Sequence, residues 1–274
     1  MENIDYRNID KYINYSHNAI LSPHVDFHLH EGYEIFFLLS GDVNYFVEKK
    51  IYPLRYGDLM ITNNHEIHRP FFKSDKLYER ICMEINPLFI RPFSSPGFDL
   101  LHCFTNRPHG DQNRIVLTPR QTDDVLGMFT RLEKLDKGPN DGHEILKLSY
   151  VIELLVYINR AFLKVPFDND RTNVPQRLVP IFDYIDNNLC GDLSLQALEK
   201  KFFIDRFYLC KLFKKSTGSN IHNYIIYKRI SKAKSLLQQG ASVMDTCSEC
   251  GFNDYSNFYK MFKKIVGVSP GKYV

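Results

Sequence analysis

Tyr208–Tyr224 reads YLCKLFKKSTGSNIHNY, and Asn257–Tyr273 reads NFYKMFKKIVGVSPGKY. At an offset of 49 they share Lys211/Lys260, Phe213/Phe262, Lys214/Lys263, Lys215/Lys264, Gly218/Gly267 and Tyr224/Tyr273, six identities in 17 positions. The C-terminal third therefore holds a repeated unit. Each copy follows a short helical pattern and a tight turn. In the first, Ser194 caps a helix with Leu195, Leu198 and Phe202 inward, and Asp205 caps a second with Leu209, Leu212 and Phe213 inward. In the second, Val243, Thr246, Cys247 and Cys250 face inward and Gly251 supplies the turn; Asn253 or Asp254 caps a helix that buries Phe258, Met261 and Phe262. Two short helices about a tight turn make a helix-turn-helix. Between the copies, Ile221–Gln238 is continuously helical in pattern, about 27 Å long. A rod of that length can set two reading helices into successive major grooves, about 34 Å apart on one DNA face.

The charge follows the same division. The net +3 of the 274 residues is the sum of −4 over residues 1–174 and +7 over residues 175–274. Both second helices carry bases on the outward face: Arg206, Lys211, Lys214 and Lys215, then Lys260, Lys263 and Lys264. A basic module on an acidic body suits a polyanion partner. Hydrophobic residues at 44% and charged residues at 24% exclude general disorder, and no apolar run is long enough to span a membrane. The start, MENIDYRNIDKYINYS, lacks a secretory pattern, so a cytoplasmic location with no membrane contact is expected. The six cysteines fit no disulfide framework, and Cys247/Cys250 are read as packing positions.

Residues 165–176, with two prolines and four Asp/Asn, read as a linker between an N-terminal domain (1–164) and a C-terminal one (177–274). Upstream, FFLLSGDVNYFV and GDLMIT read as strands with Gly-Asp turns. Residues 119–164 switch to helical spacing, and Ile145, Leu148, Ile152, Leu155, Ile158 and Phe162 form an apolar stripe. Val151, Leu154 and Val156 widen it, a breadth that fits burial on two sides, against the N-terminal body and a second subunit, and equally a plain core helix.

RISKAKSLL (229–237), CGFNDYSNFYKMFKK (250–264) and GVSPGKY (267–273) together resemble the AraC/XylS family of bacterial regulators. The likeness runs from Pro175 to the end, with helix-turn-helix units at about 192–216 and 241–265. It implies DNA contacts by Arg206, Phe207, Cys210, Lys211 and Lys214 in the first unit, and by Tyr255, Ser256, Tyr259, Lys260 and Lys263 in the second. Lys211 and Lys260 can reach guanine edges or phosphates, Phe207 and Tyr255 can press on thymine methyls, and Lys214 and Lys263 suit phosphates. Glu199 and Phe203 depart from the family pattern, Phe203 standing where it has a turn glycine. Cys210 puts a weak donor at a reading position.

In the N-terminal half, His28, His30, Glu34 and Gly41 fit the H-x-H-x3-E-x6-G pattern of the first cupin motif. Gly57 and His68 match the ends of the second, although Asn63 and His65 replace its internal proline and glycine. The resemblance implies a double-stranded β-helical barrel over about residues 20–90. His28, His30, Glu34 and His68 would be the four ligands in a metal-binding cupin, or polar groups of an effector pocket. The effector pocket is the expectation, with no resident metal or cofactor. His24, His65, His102 and His109 read as loop or surface residues.

The expected architecture is thus α+β in two domains: a cupin-like barrel with two helices, then an all-α domain of two helix-turn-helix units joined by a long helix. The expected protein is a ligand-responsive transcriptional regulator and not an enzyme: an activator that binds double-stranded promoter DNA as a homodimer and works with RNA polymerase. By family analogy the leading effector is a sugar. The competing reading is a metal-dependent cupin enzyme fused to a DNA-binding module.

Overall fold

The computed structural model describes residues 6–21, 25–138, 141–164 and 172–273. His24 and most of the expected linker lie outside them. Among the described residues, nine strands form two antiparallel sheets: β1 (Ile13–Leu21), β2 (Tyr33–Ser40), β3 (Val43–Val47), β4 (Lys50–Pro53), β5 (Leu59–Thr62), β6 (His68–Phe72), β7 (Leu77–Ile85), β8 (Arg114–Ile115) and β9 (Thr172–Asn173). The orders are β1-β7-β2-β5-β8 and β6-β3-β4-β9. Alternation along β2 explains why nearly all of it is buried. Ile35 and Phe37 face a core shared with the long helices, while Phe36 and Leu38 face Tyr45, Val47, Tyr52 and Tyr78 inside the barrel. Covering both faces of one strand demands a near-continuous apolar run, which FFLL supplies.

Two short helices, α1 (Pro87–Ile90) and α2 (His102–Thr105), precede the long α3 (Pro119–Asp136) and α4 (His143–Phe162). Thr118 and Gln121 close a capping box on α3. On α4 the buried stripe is Val151, Leu154, Leu155, Ile158 and Ala161, rotated from the expected one; Ile145 is 73% exposed. Lys147 takes its place at that end, buried and paired with Asp10 and Asp136. An aliphatic periodicity does not distinguish two adjacent faces of one helix, and here a charged side chain marks the inner one.

The C-terminal domain is α5 (Val179–Asn187), α6 (Leu195–Phe202), α7 (Arg206–Thr217), α8 (Ile221–Gln238), α9 (Val243–Glu249) and α10 (Tyr255–Val266). Ser194 accepts from the Ala197 amide, Asp205 from Tyr208, and Asp254 from Ser256 and Asn257, so the second unit's cap is Asp254 rather than Asn253. Cys247 and Cys250 are buried among Phe252, Phe258 and Phe262, as packing positions. Phe203 adopts φ +51 in the first unit's turn, the left-handed setting a glycine would take without strain.

The segment read as a linker is partly structured: β9 pairs with β4, and Val174 is buried. It enters a core that both domains build. Phe27, Leu29, Phe46, Ile51 and Ile67 from the barrel side pack with Phe182, Leu209, Phe213 and Tyr224. Phe46 lies 6.2 Å from Phe182 and 6.4 Å from Tyr224, ring centre to ring centre.

Candidate functional site

Two side-chain arrays bear on function. The first is the outer face of α7 and α10. Phe207, Lys211, Lys214, Tyr255, Ser256, Tyr259, Lys260 and Lys263 are exposed; Arg206 and Cys210 are half-buried. Each helix anchors this face by burying the opposite one, Leu209 and Phe213 in α7, Phe258 and Phe262 in α10. The Arg206 guanidinium sits 5.1 Å over the Phe207 ring, and Tyr255 and Tyr259 stand 6.3 Å apart. Bases and flat aromatic surfaces thus alternate on both faces, as contacts to phosphates and base edges require.

Arg229 of α8 ties the units together, a role the sequence reading did not assign. Its guanidinium donates to the Leu189 and Gly191 carbonyls, both at 3.0 Å. Gly251 is held at φ +77, where a Cβ would lie 2.2 Å from the Leu189 oxygen, so a side chain there would push the two units apart. The sequence signals were the RISKAKSLL motif for Arg229 and the turn glycine itself.

The second array brings together all four N-terminal candidates. His28, His30, Glu34 and His68 each offer a donor atom, all within 4.8 Å of one another. His28 and His30 alternate along an extended segment rather than a regular strand, and His28 bridges to His68. His28 Nδ1 donates to the Asp26 carbonyl at 3.0 Å and His68 Nδ1 to the Glu66 carbonyl at 2.8 Å. His30 Nδ1 meets Glu84 at 2.8 Å. With each Nδ1 engaged by oxygen, Nε2 is the free position, the orientation that metal-binding histidines receive from their outer partners. His30 Nε2 pairs with Glu34 at 2.8 Å, whereas the buried His68 Nε2 lies 3.7 Å from Glu34 and has no hydrogen-bond partner. Tyr45 donates its hydroxyl to Glu34 at 2.8 Å.

Charge in this cluster is uneven. Burial, with His68 adding to it, lowers His28 to about 3. Burial would lower His30 as well, but Glu34 and Glu84 outweigh it and raise it to about 10. Glu34, which burial alone would raise, is held well below the carboxylate range by His30 and His68. Three imidazoles and a carboxylate, with the buried His68 Nε2 lacking a hydrogen bond, fit a divalent transition metal. Such an ion would act as a Lewis acid or as a structural tie between the segments that supply its ligands.

His65 and His109 lie in turns, as expected, and border the cleft between the domains, whereas His102 is the half-buried first residue of α2 rather than a loop residue. His109 pairs with buried Glu48 at 3.2 Å, and Glu48 pairs with Lys228 of α8 at 2.9 Å.

Comparison with known proteins agrees with this division. A helix-turn-helix domain family matches residues 198–274, and a cupin domain family matches residues 19–83. The C-terminal region is thus similar to a helix-turn-helix domain and the N-terminal region to a cupin domain. The cupin match contains all four cluster residues, and the helix-turn-helix match contains α7, α8 and α10. An uncharacterized HTH-type transcriptional regulator of Staphylococcus aureus strain COL is 22% identical over 238 residues, 86% of this chain but only 30% of its own length. The chain thus spans about a third of that relative. An uncharacterized HTH-type regulator of Pseudoalteromonas carrageenovora is 37% identical over 90 residues, 33% of this chain and 54% of its own. Among solved structures, ToxT from Vibrio cholerae is 15% identical with a TM-score of 0.40, covering 96% of this chain and 98% of its own. Among the described residues, no helix is long and apolar enough to cross a membrane.

Proposed function

We propose that this protein is a ligand-responsive, sequence-specific DNA-binding transcriptional regulator. The observation that carries the reading is the pair of exposed basic-aromatic helices, α7 and α10, mounted at the two ends of α8. The HTH-type regulators it resembles support the same role. The ligand site is the His28/His30/Glu34/His68 cluster of the barrel. Activation through RNA polymerase, a cytoplasmic location and pairing of two chains through the exposed side of α4 complete the proposal. The role is binding rather than turnover, a reading that the HTH-type regulators it resembles support, with a sugar the leading effector by analogy.

The test is binding of the full chain to DNA fragments selected from a random pool. Lys263→Ala should weaken binding at every sequence and reduce the slope of log affinity against log salt by ~0.9, one phosphate's worth. An unchanged slope would remove Lys263 from the phosphate contacts. Lys211→Ala or Tyr255→Ala should instead relax preference at particular bases, by ~1–3 kcal/mol each. Uniform loss across sequences would make them backbone contacts.

A further inference from the structure

Phe203 is the most exposed large apolar side chain among the described residues, 96% open to solvent, and it stands in the turn between α6 and α7. Its backbone lies in the left-handed region, φ +51, which a residue with a Cβ occupies only at a cost. Packing explains neither feature. Its neighbours already fill the inner side of the turn: the Phe202 ring lies 5.5 Å from Tyr184, and Phe202 and Ile204 both pack against the core of the first unit.

The second unit shows the alternative. At the offset of 49, Phe203 corresponds to Phe252, which is 6% exposed, 5.2 Å from Phe258 and 5.8 Å from the Arg229 guanidinium. There the left-handed residue is the glycine before it, Gly251, at φ +77. One unit puts a glycine in the left-handed position and turns its phenylalanine in. The other puts the phenylalanine there and turns it out.

The outward ring is also held in place. Asp205 accepts from the Tyr208 amide at 2.8 Å, and Glu199 reaches across the turn to accept from the Arg206 amide at 3.1 Å. Two carboxylates therefore pin the start of α7 on either side of the turn, and a strained residue persists where its surroundings over-determine it. Glu199 and Phe203, both departures from the family pattern, thus belong to one construction. Lys200 and Lys201, in the last turn of α6, are exposed beside it, and Phe207, 71% exposed, continues the surface onto the outer face of α7.

We propose that Phe203 is a DNA contact, its ring lying on the deoxyribose backbone at the edge of the major groove that α7 enters. The proposal rests on the reading of α7 as a DNA-reading helix and adds a contact that reading does not contain. In a helix-turn-helix the first helix crosses the backbone while the second enters the groove. The turn that joins them passes the groove's edge, where each sugar presents an apolar face between phosphates. An uncharged ring there adds affinity without reading sequence and without releasing a counterion.

The experiment uses the full chain and a DNA fragment that the unaltered protein selects from a random pool. Phe203→Gly and Phe203→Asn both accept the left-handed setting, and both remove the ring. Each is expected to melt no lower than the parent yet to bind about tenfold more weakly, as for a partly buried aromatic ring. The loss should be equal at every sequence, and the slope of log affinity against log salt should not change, unlike that of Lys263→Ala. Phe203→Leu, still apolar, should lose only about threefold. Hydroxyl-radical cleavage, which attacks deoxyribose, should find a sugar in the first unit's site protected by the parent and open in Phe203→Gly. Unchanged affinity in both the Gly and Asn variants would overturn the contact and leave the ring to a protein partner. A lower melting temperature in both would overturn it as well, since the ring would then be structural. Selection of no DNA by the unaltered protein would remove this contact and the regulator reading together, whereas variants that match a binding parent remove the contact alone.

Discussion

Lys228→Ala is expected to cost about 3–5 kcal/mol of folding stability, because it strands the Glu48 carboxylate in the space between the domains. Glu48 is almost fully buried and Lys228 nearly so, with the pair at 2.9 Å and Asp186 3.0 Å from the same ammonium. Glu48 also accepts from the Ile67 amide at 2.8 Å, so its charge cannot swing out to water without breaking the barrel edge. The double variant Glu48→Gln/Lys228→Met should recover most of the loss, since neutral groups of similar shape need no countercharge and Gln still accepts from Ile67. The measurement is denaturant unfolding followed by circular dichroism. If the single variant is as stable as the parent, the pair is solvated and the domains are not joined there.

The pair also sets a pH window. Burial would raise Glu48, but the Lys228 charge and His109 outweigh it and hold its carboxyl well below the usual 4.5. Its contribution is therefore complete above pH 4.5 and is lost as the pH falls toward the folded value. For Lys228 burial would lower the ammonium, and Glu48 and Asp186 raise it above the usual 10.5. That contribution is complete below pH 10.5 and is lost as the pH rises further. Between these limits the Lys228 share of the contact should be flat, while the His109 share, complete below pH 6.5, is lost as the pH rises through its raised folded value; Glu48→Gln should remove the acid limb.

Arg107→Ala should be comparably damaging, about 3–5 kcal/mol, lowering the melting temperature by on the order of 10 °C. Its guanidinium makes two parallel bonds to Glu66, whose side chain is fully buried, and a third to the Asp111 carbonyl at 2.9 Å. Glu66 also accepts from the amides of Gly110 at 2.7 Å and Asn63 at 3.0 Å. Losing the arginine leaves a buried carboxylate with neutral donors alone. Because the Glu66 carbonyl orients His68, the damage should reach the cluster as well as the melting curve. Arg107→Lys should restore only part of the stability, since a point charge cannot make both bonds. Equal stability of Arg107→Ala and the parent would mean that the loop is held by its neutral bonds.

The C-terminal domain was legible because its information is local. A repeat, three acidic or hydroxyl caps and a turn glycine each act within a few residues, and Ser194, Asp205, Asp254 and Gly251 stand in those roles. The cluster was legible from its spacing, since His28, His30 and Glu34 lie close in sequence and His68 ends a recognisable motif. The contact between the domains was not. Its partners, Glu48 with Lys228 and Glu31 with Lys234, lie 180 and 203 residues apart, and a lysine on a basic helix gives no sign of being buried. One signal was present: Tyr224, Tyr227, Lys228, Ser231 and Lys234 recur at steps of three and four along α8, a second face beside the aliphatic one. The strand β9 escaped because two residues of ladder after a proline-rich stretch carry no periodicity.

That two-residue strand changes what a boundary at 165–176 means. A fragment ending before it would leave β4 with open hydrogen-bonding groups and strip Phe27, Phe46 and Ile67 of their cover. A fragment beginning after it would bare Phe182 and Tyr224 to water. Each half, made alone, would carry a sticky face where the other belongs, and precipitation or self-association would be the natural result. Two halves that read as separable along the chain are therefore interdependent for solubility, and swapping either into a foreign fusion would require redesigning the surface it leaves behind.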